Sequence, residues 1–472
     1  MNTIFFHSSW RATTQKVLPI FCAITFALGA IVACTNPQPV AEPIPEKAQP
    51  GSDFALFQEK VLTPNCATSG CHDTRNAVGG LDLSADVAFK NLISVQPTNP
   101  NAQADKLLRI TPNDPYRSFL YVKLDSANLH NSDGYGSRMP LGSRSLPAGQ
   151  LEFLRLWIAN GAKASGNTVD ANLLIDTRPQ NEVLMLSQPS SGMQIQLPQF
   201  SIVPRFEREI NYAVQSSKEI LITKFDIVQR DRSHHFILYK YPQDGIKPPI
   251  NVFRDLYDTK GVVNEKSTVE IQDRIYVMGS QLKNETIEFP PGMAMRLPAN
   301  SVLDLNSHYT NGLRDTIRGE AVINLHSTTP DKVTTYIQSL QLGRYDFVLS
   351  PKRETVVETT FIVGAPTPLF VAQDTFEEGG KQEVNIIALT SHNHRLGKRF
   401  IIQIVGGARN GEVVFSSTNW LNPPLIKFNT PIKLKRGEGL KSIVTYFNDT
   451  DKDVRYGVLS SDEMDFIFGY YY

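Results

Sequence analysis

The distribution of apolar side chains divides the chain into unlike stretches. Val17 to Ala33 is a nearly continuous apolar run, preceded by Arg11 and Lys16 and by no acidic residue. Its 17 residues, with Pro19 near the start, are short for a membrane span and fit the hydrophobic region of a secretion signal. Thr35 to Ser52 carries Pro37, Pro39, Pro43, Pro45 and Pro50, which predicts an extended tether. A first helix is expected from Asp53 to about Leu62. Another opens at Pro147, with Leu151, Leu154, Trp157 and Ile158 on one face, and Gly161 closes it. From about residue 185 onward the pattern changes to short β segments separated by Pro, Gly, Asn and Asp, which predicts antiparallel sandwiches. A region of this length should split in two, and the break falls near Gly343–Lys352. It contains no βαβ series, Gly-rich phosphate loop or nucleophile elbow.

Composition narrows the function. Lys+Arg and Asp+Glu both number 47, and this balance argues against a nucleic-acid partner. The four cysteines, Cys22, Cys34, Cys66 and Cys71, are too few for a disulfide scaffold in 472 residues. Cys34 ends Ile31-Val32-Ala33-Cys34, which resembles a bacterial lipobox. That resemblance implies a signal over 1–34, lipidation of Cys34 and a bacterial cell-envelope lipoprotein. Thr35 in place of Asp favours the outer membrane, facing the periplasm or the surface.

Cys66 and Cys71 then remain, in the C-x4-C-H run Asn65-Cys66-Ala67-Thr68-Ser69-Gly70-Cys71-His72. Covalent haem needs two thiols at one haem edge followed by an iron-ligating His. A Cys66–Cys71 disulfide beside an idle His72 is the plainer reading. Met139, in the loop Ser137-Arg138-Met139-Pro140-Leu141-Gly142, suits an axial thioether ligand or a core filler. His130 reads as a surface residue. The order of helix, thiols, methionine loop and closing helix over residues 53–164 resembles class I c-type cytochrome domains. The resemblance implies a small all-α domain with one covalent haem c on Cys66 and Cys71, His72 proximal and Met139 distal.

The β region holds five histidines in three settings. His234-His235 lies in the strand-like stretch Ile220–Tyr241. Neighbours on a strand face opposite ways, so the pair can share one metal only if a bulge or strand end turns one ring. His308 follows in Leu305-Asn306-Ser307-His308-Tyr309. His392-Asn393-His394 ends the strand Glu383–Ser391, where alternate residues share a face. Met464 stands in Asp462-Glu463-Met464-Asp465-Phe466, ahead of Tyr470-Tyr471-Tyr472. Three imidazoles suit either copper valence, whereas two imidazoles and a thioether favour Cu(I) and leave a position open for dioxygen. Taken singly, each fragment has a structural reading, and His326 keeps it.

Together, His234-His235, His308-Tyr309, the His392-x-His394-x-Leu396-Gly397-Lys398 run and Asp462-Glu463-Met464 resemble the copper type II, ascorbate-dependent monooxygenases, the peptidylglycine α-hydroxylating and dopamine β-monooxygenase family. The resemblance implies two jelly-roll-like sandwiches, 188–345 and 346–472, with one copper each across a solvent cleft. His234, His235 and His308 would hold an electron-transfer copper; His392, His394 and Met464 would hold the catalytic, oxygen-binding copper. Two departures stand out. The β region has no Cys, and Thr390, Phe466 and Phe468 stand where peptide-hydroxylating members carry Arg, Asn and Tyr. The pocket is therefore expected to be neutral and apolar, for a hydrophobic or aromatic small-molecule C–H substrate.

The expected activity is hydroxylation with O2, with electrons from ascorbate or a redox protein relayed through the fused haem. Residues 165–187 read as a short linker that joins the haem domain without a tight interface. A second reading is a lipid-anchored haem/copper electron-transfer or copper-binding protein without oxygenase turnover, and a third is a carbohydrate-binding or structural sandwich with incidental histidines. Oxygen uptake separates them.

Overall fold

The computed structural model describes residues 47–126, 128, 134–142, 145–180, 184–258, 260–271, 274–369, 371, 372, 376 and 382–472. Cys34, the apolar run before it, most of the proline-rich tether and His130 lie outside these residues. No helix among the described residues is long and apolar enough to cross a membrane.

The first part is helical: α1 (Asp53–Phe57), a π turn (Gln58–Leu62), α2 (Thr63–Asn65), α3 (Ala88–Leu92), α4 (Pro100–Ala104), α5 (Phe119–Leu124) and α6 (Ala148–Ala159). Ser52 caps α1, its Oγ accepting from Ala55 N at 3.3 Å. Phe54, Phe57, Val61 and Leu62 recur at helical spacing and are buried against Leu151, Leu154, Trp157 and Ile158 of α6. The Phe54 and Trp157 rings lie 5.2 Å apart.

The rest is β: β1 (Gly192–Ile202), β2 (Phe206–Gln215), β3 (Ile220–Gln229), β4 (Ser233–Lys240), β5 (Phe253–Asp255), β6 (Ile275–Ser280), β7 (Asn284–Glu288), β8 (Met293–Leu297), β9 (Val302–Asn311), β10 (Ile317–Ser327) and β11 (Thr335–Arg344). The series continues through β12 (Val348–Leu349), β13 (Arg353–Ile362), β14 (Val371–Ala372), β15 (Glu383–His392), β16 (Gly397–Val405), β17 (Val413–Ser417), β18 (Ile426–Lys435), β19 (Gly439–Asn448), β20 (Val454–Arg455) and β21 (Asp465–Tyr471). A five-stranded sheet, β5-β2-β9-β4-β6, belongs to the first half, and a four-stranded sheet, β13-β19-β16-β17, to the second. Both pack on one ten-stranded sheet whose main path is β1-β10-β3-β8-β11-β21-β15-β18. The expected break near Gly343–Lys352 therefore follows a strand that both halves share. β11 pairs parallel to β8 over Thr335–Ile337 and antiparallel to β21 over Gln338–Arg344.

The described residues of the expected short linker pack on the helical part. Thr168 N–H donates to Asp53 Oδ2 at 2.8 Å, and Val169 and Leu174 are buried in the helical core. Gln180 takes the Ser126 N–H on its Oε1 at 2.8 Å and donates to the Leu146 carbonyl at 2.8 Å. The interface is not loose. Ala102, Leu107, Val122 and Tyr135 share one apolar cluster with the first sandwich. Tyr121 Oη donates to Asp231 Oδ2 at 2.9 Å, and Lys283 Nζ reaches Asp231 and Glu152 at 3.2 and 3.4 Å. Shared apolar burial and paired buried charges dock the helical part on the sandwich; a tether would need neither.

β11 also sets the size of its neighbour. Gly343 pairs with Phe466, and a Cβ at Gly343 would lie 2.2 Å from the Phe466 ring. Gly343→Ala should lower the unfolding free energy by about 1–3 kcal/mol through overpacking. Denaturant titration should show the same change costing much less in a Phe466→Ala background.

Candidate metal centre

His234 and His235 open β4, where pairing with β9 slips between Ser233 and His235. That slip is the bulge the sequence required. It brings His234 Nδ1 to 3.1 Å from His235 Nδ1. His308 lies opposite His235 in the ladder. One nitrogen from each of the three rings falls within 4.8 Å of the others. His235 Nε2–H donates to Asn306 Oδ1 at 3.0 Å, and His308 Nε2–H to Glu207 Oε1 at 2.6 Å. These bonds orient both rings and leave their Nδ1 atoms facing the cluster.

The second set forms at the end of β15. Glu463 accepts the backbone N–H groups of His394 and Leu396 at 2.9 and 2.6 Å, which fixes the turn. Gly397 allows that turn to close, since a Cβ there would lie 2.0 Å from Asn393 Nδ2. His394 Nδ1–H donates to the Asp462 carbonyl at 2.9 Å, and His392 Nδ1–H to Gln281 Oε1 at 3.2 Å. Both rings thus keep Nε2 lone pairs. Met464 immediately precedes β21 and is 9% exposed.

The two sets do not face each other across a solvent cleft, as the resemblance implied. The His234 ring centroid lies 5.2, 4.9, 5.6 and 4.8 Å from those of His235, His308, His392 and His394. One nitrogen of His234 also falls within 4.8 Å of one each from His392 and His394. The shared sheet holds the halves close enough for the five rings to meet.

Burial decides their charge. It pushes His234, His235 and His392 well below the ordinary imidazole range, and their neighbouring rings add to the effect. Burial takes His394 down to about 4. For His308, burial also lowers the pKa, but the Glu207 and Glu209 carboxylates outweigh it and raise the net value. Four of the rings are therefore neutral near pH 7 and offer lone pairs. Three buried nitrogens, His234 Nε2, His308 Nδ1 and His394 Nε2, have no hydrogen-bond partner. The neutral rings, with bare nitrogens on His234 and His394 and with His308 Nδ1 converging on them, are a donor set suited to copper, and the residues fit the implied ions.

A cavity of about 530 Å³ borders the cluster. His235, His392 and Met464 line it with Thr390, Phe466 and Phe468. At the aromatic end the Phe468 ring centroid lies 5.7 Å from that of Phe466 and 4.6 Å from that of Tyr276. The wall is not wholly neutral, however. Glu209, Arg274 and Glu285 also line it, from the first half. Those three residues lie far along the chain from His392 and Met464.

Cys66 and Cys71 are free thiols, one buried and one exposed. Burial, with Cys71 adding, pushes the Cys66 thiol up to about 12. His72 Nδ1–H donates to the Leu81 carbonyl at 3.1 Å, leaving Nε2 for a ligand. Met139 packs on the same helical core that contains Cys66. His326 pairs with Asp226 at 2.6 Å and takes no part in the five-ring cluster. The sequence reading did not identify Glu207, Gln281 or Asn306 as orienting groups. Only Asn306 had a signal, being two residues before His308 on the same strand face.

No family model and no curated protein matches the chain. Among solved structures, a triple jelly-roll turret protein of an archaeal virus shares 9% identity, with 60% of this chain and 59% of that one covered and a TM-score of 0.15. An α-L-fucosidase from Bacteroides ovatus, described as putative, shares 12%, covering 55% and 38%, with a TM-score of 0.13. The chain thus spans less than two thirds of either structure. At these scores neither likeness carries an argument.

Glu207 is the most exposed test of the orienting shell. It holds His308 and also accepts from Ser460 N and Oγ, at 2.5 and 2.9 Å. Glu207→Ala should weaken copper binding roughly 10–100-fold in chelator competition, and Glu207→Gln, which keeps an acceptor, less.

Proposed function

We propose that this chain is a dicopper monooxygenase that hydroxylates a C–H bond of a small, largely apolar molecule, with electrons relayed through a covalent haem c in the helical part. The reaction is R–H + O2 + 2 e⁻ + 2 H⁺ → R–OH + H2O. The observation that carries this reading is a buried five-imidazole cluster, with partnerless nitrogens on His234, His308 and His394, whose His235 and His392 line an aromatic-walled cavity. A purely electron-transferring copper protein has no use for such a cavity.

Bound copper would supply two one-electron centres and, beside Met464, a place for dioxygen. The residues have separable tasks. Asn306 and Glu207 would set the Nδ1 atoms of His235 and His308; Gln281 and the Asp462 carbonyl would set the Nε2 atoms of His392 and His394. Phe466 and Phe468 would exclude water and seat the apolar body of the substrate. Thr390, on the same wall, offers a hydroxyl, and Arg274 and Glu209 offer charges to any polar group the substrate carries. Cys66 and Cys71 would carry the haem, with His72 and Met139 holding its iron, and the lipid on Cys34 would hold the protein at the envelope membrane. Docking of the helical part on the first sandwich supports transfer within one chain, with ascorbate or a redox protein as ultimate donor.

Copper-loaded protein with reductant should take up oxygen faster when a substrate is present and form product in equal amount. Copper binding without such uptake would leave an electron-transfer or copper-storage role. Met464→Ala should spare Cu(II) binding but weaken Cu(I) binding, since a thioether prefers the softer ion. Cys71→Ser should abolish double thioether attachment; haem that still survives denaturation and organic extraction in full would refute that assignment.

A further inference from the structure

We propose that His234 is a ligand shared by both copper sites: Nδ1 completes the set with His235 and His308, and Nε2 the set with His392 and His394. The inference rests on the dicopper reading and goes beyond it, because that reading assigns His234 to one site alone.

Three observations carry it. The first is the Nδ1 side. His235 spends its Nε2–H on Asn306, so its Nδ1 is a lone pair, which accepts the His234 Nδ1–H at 3.1 Å and which an ion between the two rings would take over. Two metal–imidazole bonds of about 2.0 Å meeting at roughly 100° give that separation. The second is the Nε2 side. His234 Nε2 is buried and has no hydrogen-bond partner, although almost every buried polar atom in a protein has one. The third is what surrounds it. The His394 and His392 rings lie 4.8 and 5.6 Å from that of His234, and both have already used Nδ1 as a donor. Neither neutral ring has a second N–H with which to satisfy His234, so a cation among these nitrogens does what no side chain there does. The His234 ring is in contact with rings of both sets.

A neutral imidazole has one lone pair and one N–H. Holding an ion on each nitrogen therefore displaces the N–H proton to solvent and leaves an imidazolate between two cations. Such a bridge couples two Cu(II) spins antiferromagnetically, and that gives a readout independent of turnover.

The test uses the full chain, loaded with Cu(II) and assayed for metal content and for integrated electron paramagnetic resonance intensity. Two coppers with an integrated spin well below the copper content support the bridge. His235→Ala should weaken one copper by about tenfold or more and leave the other with its full spin; His234→Ala should weaken both. Two coppers whose spins integrate fully in the unaltered protein would overturn the shared ligand while leaving the two-copper reading intact. One copper or none would overturn both.

Discussion

One strand, β11, holds the two halves of the β region in a single relation. Its first residues bond to β8 and the rest to β21, so neither sandwich can move without breaking a ladder. Register within such a ladder is stringent, because a one-residue slip turns every side chain to the opposite face. The ends of β4, β9, β15 and β21 are thereby held around one point. The apolar core follows the same logic: Ile387, Ala388 and Tyr470 of the second half belong to the cluster of the first. The five rings meet because the sheet is continuous, and the cavity is bounded by both halves for the same reason.

Convergence of this kind is costly in a dry interior. An unsatisfied buried polar atom costs about 1–3 kcal/mol, and the cluster contains three. Packing gives no return for it, since leucines would fill the volume better. The surrounding carboxylates point the same way. Glu207 meets His308 on one side and Ser460 on the other, while Glu463 is pushed up to about 7 by burial although it accepts backbone N–H groups. Glu207 and the imidazole nitrogens present electron-rich atoms to the cluster. Elsewhere buried charge is paired, as in Arg230–Glu320 at 2.8 Å.

Much of this was legible in the sequence because it is local. The bulge at His234, the shared parity of Thr390 with His392, the apolar faces of α1 and α6 and the β character after residue 185 all follow from periodicity and short motifs. What was not legible depends on distance along the chain. Glu207 and Gln281 lie about a hundred residues from the rings they orient, Arg274 enters the cavity from another sheet, and β11 reads as one strand whichever half it joins. The polar start of the linker segment hides Val169 and the short 3-10 turn Ala171–Ile175, whose Leu174 is buried in the helical core. The segment's partners are spread along the chain, from Asp53 to Ser126 and Leu146.

The docking of the helical part bears on how the protein is made. Cys66 is 8% exposed and belongs to the helical core, and that part shares apolar residues with the first sandwich. A group joined to the Cys66 sulfur must arrive before the core closes over it. If that group is a haem, attachment precedes the folding of the helical part, and the first sandwich gains its docking surface only afterwards. Maturation would then have an order: attachment to the still-open chain, closure of the helical core, and last the docking of the first sandwich on it. A chain that misses the first step would lack the surface on which the final one builds, so a defect in the attachment machinery would appear as loss of the whole protein rather than as a colourless but intact enzyme.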